Sequence, residues 1–256
     1  MIKEDIKFQN SSVFEGMTSI RAILKSNDEK INTRKINMIY YDKEKLHKIS
    51  KEVAYLRAVS GKYGFQLIES DAEFLSTITL GNSHGGIVAE TGDRTIPYLA
   101  DCEIEKNGFY AMIQGIEDPY NFGYALRSLY AAGCSGIILD ERNWLSAAGV
   151  VCRSSAGASE LFPAFISEPK AAVDFFKSRA YTVVSADEKT TDTLGECELK
   201  LPLLLIVGGE KRGISKEILS SSDKRVKINY AREFHASLSA ASAVTMFAYE
   251  IMRQNK

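Results

Sequence analysis

Arg127, Asn121, Glu210, Ser237 and Ser239 carry the side chains whose types and spacing invite chemistry. A guanidinium at 127, following Asn121 on one helix, can grip a phosphate or a developing oxyanion. The run Gly208-Gly209-Glu210-Lys211-Arg212-Gly213 sets exposed backbone amides beside a carboxylate, which suits a polar ligand. It is neither a GxxxxGK[ST] phosphate loop nor a GxGxxG turn. A third run, Phe234 to Ala241, places the Ser237 and Ser239 hydroxyls at a helix mouth, next to His235. Small residues there (Ala236, Ala240, Ala241) permit close approach of a ligand or another chain segment. Taken singly, each run also has an ordinary reading. Asn121, Ser237 and Ser239 are good helix caps, Arg127 is an unremarked surface arginine, and the glycines make a turn. Metal chemistry is not indicated. Cys102, Cys134, Cys152 and Cys197 form no CxxC pair, and His47, His84 and His235 are scattered. Reduced thiols and a cytoplasmic setting are expected.

Each of the three runs follows a strand. The expected strands are Phe109 to Ile116, Leu203 to Val207 and Arg225 to Ile228, and the helices after them are Asn121 to Ala132, one from Lys216, and Ser237 to Gln254. Between them the pattern predicts strands at Gly136 to Leu139, Ala164 to Ile166 and Tyr181 to Ser185. It predicts helices at Val150 to Ala156 and Pro169 to Arg179. Alternating strand and helix implies an α/β fold with a parallel sheet covered on both faces, and ligands in such sheets bind outside the carboxyl ends of the strands.

The first part of the chain reads as a smaller α/β unit. Strands are expected at Ile36 to Asp42, Phe65 to Glu69 and Gly85 to Glu90. Leu46, Ile49, Val53, Leu56 and Val59 give the 3-4 spacing of an amphipathic helix over Lys43 to Lys62, stopped by Gly61 and Gly64. Ser70-Asp71 caps a short helix through Ile78.

With 256 residues, the chain has room for one large domain or two small ones. Its 32 Lys+Arg against 33 Asp+Glu exclude a blanket polycation. Charge is nonetheless local. Residues 30–62 hold Lys30, Arg34, Lys35, Lys43, Lys45, Lys48, Lys51, Arg57 and Lys62 against Asp42, Glu44 and Glu52, a net of +6, and residues 208–232 sum to +4. Such patches suit salt-dependent phosphate binding or are solvated helix faces. The N-terminus MIKEDIKFQN has no apolar h-region, so no secretory signal is expected, and no stretch approaches the ~18 apolar residues of a spanning helix.

Read together, the three runs resemble the motifs of the SpoU (TrmH-type) RNA ribose 2'-O-methyltransferases of the SPOUT superfamily. DPYNFGYALRSLYAAGCSGIIL is similar to the first motif, LLLIVGGEKRGIS to the second and VKINYAREFHASLSAASAVTMFAYEIMRQ to the third. SSAGASELFPAF matches a segment between the first two. The resemblance covers about residues 106–256. More loosely, HGGIVA at 84–89 is similar to the last strand of the L30e-like domain that precedes many members.

The resemblance implies an α/β fold in which a SPOUT-type parallel sheet closes on a C-terminal trefoil knot. An L30e-like RNA substrate-binding domain would occupy 1–95, a linker 96–107 and the methyltransferase domain 108–256. It implies S-adenosyl-L-methionine held by Gly208, Gly213, Ile228, Leu238 and Ser237, and catalysis served by Arg127, Asn121, Glu210 and Ser239. It also implies a homodimer packed through the first-motif and C-terminal helices. The activity would be 2'-O-ribose methylation of RNA, ribosomal RNA first and transfer RNA second; the alternative is an inactive RNA-binding dimer that retains the fold. One departure stands out: where the family has Ser-Leu-Asn-x-Ser, this chain has Ser237-Leu238-Ser239-Ala240-Ala241.

Overall fold

The computed structural model describes residues 12–79, 84–140, 147–209, 213–233 and 235–256. Contacts divide the chain into two compact units. The first opens with β1 (Val13–Glu15), which runs directly into α1 (Gly16–Asp28). The sequence reading has no element here. The reason is physical: β1 is three residues long, Glu15 gives α1 no side-chain cap, and Ser19 and Ser26 interrupt its buried stripe. β2 (Ile36–Asp42) and α2 (Leu46–Tyr63) follow as expected, with Ile49, Val53 and Leu56 as the buried face of α2. Gly64 stops α2 in the left-handed conformation, φ +77, with its N–H on the Ser60 carbonyl at 2.8 Å. β3 (Gln66–Ser70), α3 (Ala72–Ile78) and β4 (Ile87–Thr91) complete this stretch. The Asp71 carboxylate caps α3 by accepting from the Phe74 N–H at 2.8 Å. The sheet order is β1-β4-β2-β3, with only β2 and β3 parallel.

The second unit is built on β5 (Phe109–Gln114), followed by α4 (Pro119–Ala131) and β6 (Gly136–Leu139). Next come α5 (Ala148–Ser154) and α6 (Ala158–Leu161), which belong by their contacts to the first unit. Ala148 and Cys152 sit in one core with Phe14, Ile23 and Ile39. Arg34 seals this arrangement. Its Nε lies 3.0 Å from Glu160 Oε2, both side chains are 3% exposed, and its Nη1 donates to the Gly92 carbonyl at 2.9 Å. Arg34 therefore leaves the set of basic residues counted toward a phosphate-binding patch. The chain returns to the second unit through β7 (Ala164–Ile166), α7 (Pro169–Lys177), β8 (Thr182–Ala186), β9 (Leu203–Gly208), α8 (Lys216–Ser221), β10 (Lys224–Val226) and α9 (Ala240–Gln254).

All pairings of its six-stranded sheet are parallel, in the order β10-β8-β9-β5-β6-β7. β5 and β9 are buried on both faces, which explains their unbroken apolar sequence. Residues 96–107, read as a linker, fall in this unit: Tyr98 bridges Ile166 and Leu99 joins the core around Tyr110, Phe176 and Leu204. Among the described residues no helix is long and apolar enough to cross a membrane, and no cluster of His, Cys, Asp or Glu could hold a metal ion.

Candidate functional site

Register sets the site. Gln114 pairs with Gly208, Ser185 with Ile206, and Val226 with Ala186, so β5, β9, β8 and β10 end at one level. From β5 the chain steps outward through β6 and β7, then crosses to β8 on the other side, fills the gap with β9 and ends on the edge with β10. Such a reversal is where open α/β sheets leave a crevice for ligands. A cavity of about 510 Å³ lies there, lined by Gly208, Gly213, Ile228, Ser237 and Leu238. These are the five residues that the family resemblance implies for a cofactor, and they come from three separate segments of the chain.

Glycine is required at the strand end. A Cβ on Gly208 would stand 2.5 Å from the Gly213 carbonyl carbon and 2.7 Å from the Ile214 nitrogen, and one on Gly209 would run into the Gly115 carbonyl. Gly213 turns with φ +61 and donates its N–H to the Gly209 carbonyl at 3.0 Å, so the loop folds back on the strand that feeds it. Gln114 Oε1 accepts from the Ser215 N–H at 3.3 Å and ties this loop to β5. On the opposite wall, β10 ends at Val226, two residues earlier than expected, because Lys227 leaves the sheet to bridge Thr193. Tyr230 Oη accepts from the Leu238 N–H at 3.2 Å, holding the segment that carries Ser237 and Leu238 against the cavity.

Of the four residues expected to do chemistry, Asn121, Arg127 and Ser239 are not among those that line this cavity. Glu210 lies outside the described residues. Asn121 is not the cap of α4. Asp118 is, accepting from the Tyr120 N–H at 2.9 Å, and Pro119 occupies the first turn where a missing N–H costs nothing. Asn121 is half-buried within that turn. Arg127 is exposed and shares a helix face with the exposed Tyr120 and Tyr124, at i, i+4 and i+7. The opposite face, Phe122, Ala125, Leu126 and Leu129, is buried.

Helix α9 begins at Ala240 rather than Ser237, and Ser239 is its N-cap. The Ser239 hydroxyl accepts from the Ser242 N–H at 3.2 Å and lies 3.0 Å from Ser242 Oγ. Helix α9 packs along α4, with the hydroxyls of Ser128 and Thr245 2.6 Å apart. Met246 and Tyr249 on α9, with Tyr120, Tyr124 and Tyr130 on α4, leave large apolar groups in solvent. His235 is 88% exposed, 3.5 Å from the Glu233 carboxylate, as befits a solvated ring.

Sequence reasoning missed Asp187 and Tyr230, which also line the cavity. Asp187 follows β8, so the carboxyl-end rule applied to that strand would have found it. Tyr230 has no such signal.

The SpoU rRNA Methylase family model matches residues 108–249. YacO of Bacillus subtilis, named as a TrmH family tRNA/rRNA methyltransferase, is 27% identical over 177 residues, 67% of this chain and 71% of that protein. A like-named protein of Staphylococcus haemolyticus is 27% identical over 153 residues, 59% of this chain and 61% of its own length, so the match spans less than two thirds of that relative. Among solved structures, the SpoU methyltransferase AviRb of Streptomyces viridochromogenes, in complex with the cofactor AdoMet, superposes with a TM-score of 0.79 at 20% identity, over 99% of this chain and 98% of that one. An RNA 2'-O ribose methyltransferase superposes with a TM-score of 0.78 at 20% identity, over 94% and 88%.

Proposed function

Because the chain belongs to the SpoU rRNA methylase family of RNA methyltransferases, we propose that it methylates ribose 2'-hydroxyls of RNA with S-adenosylmethionine, ribosomal RNA being the first substrate to try and transfer RNA the second. The observation that carries this reading is the convergence of Gly208, Gly213, Ile228, Ser237 and Leu238 on one cavity at the strand ends. The cavity fits the cofactor. Its volume falls within the ~300–1,000 Å³ usual for small-molecule sites, and Gly208 bares backbone where no Cβ has room. Gly208, Gly213 and Leu238 would hold it through the main chain, with Ile228 as an apolar wall and Ser237 as a polar one. When bound, the cofactor supplies an electrophilic sulfonium methyl.

The remaining work falls to the chain. A ribose hydroxyl is a poor nucleophile and must share or lose its proton. Arg127 is an unsuitable base, since a guanidinium offers donors and no acceptor. Its role is to bind phosphate and stabilise the developing alkoxide. Asn121 and Glu210 orient it. Most of the rate gain comes from holding hydroxyl and methyl in line.

Arg127 does not line its own chain's cavity. This supports a homodimer in which α4 and α9 pack on a second copy and each Arg127 serves its partner's cofactor. The apolar groups exposed on these helices support the same interface. A C-terminal trefoil knot would account for one cavity drawing on Gly208 and Gly213 as well as on Ser237 and Leu238. In the first unit, an L30e-like domain, the exposed Lys48, Lys51 and Arg57 of α2 would take RNA phosphates. The rival reading, an RNA-binding dimer without catalysis, draws on Ser239, whose hydroxyl is committed to capping α9.

Calorimetry with S-adenosylmethionine tests the proposal. Binding is expected in the wild type and in Arg127→Ala, with methyl transfer lost only in the variant. No binding by the wild type, or near-normal transfer by Arg127→Ala, would refute it.

A further inference from the structure

One carboxylate in the cavity is unaccounted for by any of the three motifs. Asp187 is the first residue past β8, and its side chain is 9% exposed. Its backbone N–H donates to the Val226 carbonyl at 3.0 Å, which pins it between the ends of β8 and β10. Oδ1 accepts from the Lys189 N–H at 3.0 Å, and Oδ2 lies 3.6 Å from Arg225 Nε. Each carboxylate oxygen has two lone pairs, so acceptor capacity remains after these contacts. Arg225 offsets the cost of holding the charge there. Glu188 also lines the cavity but is exposed. Asp187 is thus the one carboxylate among the described lining residues whose side chain is held largely out of solvent.

Ile228 and Leu238 line the same cavity, and their apolar side chains suit a flat heteroaromatic ring. A fixed, acceptor-only group beside such a slot suits a pair of hydroxyl donors. An acidic residue past a parallel strand plays that part toward the ribose in dinucleotide-binding sheets. We propose, resting on the reading of this cavity as a S-adenosylmethionine site, that Asp187 accepts hydrogen bonds from the ribose hydroxyls of the adenosyl group and so selects a ribonucleoside cofactor.

The test is calorimetric, on the full chain, with S-adenosylhomocysteine and its 2'-deoxy and 3'-deoxy analogues as probes. The wild type is expected to bind at least one deoxy analogue about tenfold or more weakly, the scale of one lost hydrogen bond to a charged group. Asp187→Asn keeps an oxygen for the Lys189 N–H, so its melting temperature should stay near the wild-type value. It should bind S-adenosylhomocysteine about tenfold or more weakly and lose the preference for ribose. Tight binding of all three probes alike by the wild type, or an Asp187→Asn variant that still discriminates as the wild type does, overturns this assignment and leaves the cofactor reading intact. No binding of S-adenosylhomocysteine by the wild type overturns both.

Discussion

Gly208→Ala is the sharpest perturbation the site offers. The added Cβ would meet Gly213 C at 2.5 Å, Gly213 Cα at 2.6 Å and Ile214 N at 2.7 Å, against ordinary contacts of 3.4 Å or more. The shortfall, 3.4 less 2.5, is about 0.9 Å. Main-chain atoms cannot swing aside as a side-chain tip does, so the 213–214 segment must shift by about that distance or the strand end must give way. Overpacking of this kind costs about 1–3 kcal/mol. Because the displaced atoms form the cavity wall, cofactor affinity should fall together with stability. Gly213→Ala is the matched control. Nothing lies within 4 Å of its Cβ, and its difficulty is only φ +61, worth about 1–2 kcal/mol. Asn tolerates that conformation, so Gly213→Asn should recover part of the loss while Gly208→Asn should not. Urea titration reads stability, and calorimetry with S-adenosylhomocysteine reads the site. A Gly208→Ala protein with wild-type midpoint and affinity would refute the claim that backbone crowding shapes this wall.

Two further outcomes are expected in the first unit. Arg34→Met should cost about 3–5 kcal/mol in urea unfolding, because it removes the ion-pair partner of the buried Glu160 carboxylate, and a midpoint near the wild-type value would contradict this. Burial, reinforced by the Lys45 ammonium and opposed by Glu15 and Asp42, holds the His84 imidazole below its ordinary value of 6.5. The unfolded chain then binds the extra proton first, so stability is full above about pH 6.5 and falls as pH drops below it. His84→Gln should flatten that part of a urea-midpoint profile, and an unchanged slope would contradict the stated cause.

Where local pattern governs, the sequence was a good guide. The 3-4 spacing through Ile49, Val53 and Leu56 and the stop at Gly64 are set by neighbours along the chain, and α2 obeys them. The apolar run at 203–207 is legible because a strand buried on both faces admits nothing else. The helix mouths were read less well. Asp118 displaced Asn121 as a cap, and Ser239 displaced Ser237 as the start of α9, since several eligible residues stood within one turn. Long-range pairing was invisible. Arg34 and Glu160 are 126 positions apart, and no charge count reveals that they neutralise each other in the interior. The same distance hid the attachment of α5 and α6 to the first unit. Motif order located three loops, and the parallel register then determined that they share one cavity.

The central claim is methyl transfer to a ribose 2'-oxygen of RNA. Its most direct test incubates the full chain with methyl-labelled S-adenosylmethionine and ribosomal RNA, then transfer RNA, and separates the nucleosides after digestion. The account predicts label in a 2'-O-methylnucleoside with the wild type and none with Arg127→Ala. Label on a base, or no transfer to either RNA by a protein that binds the cofactor, would contradict it.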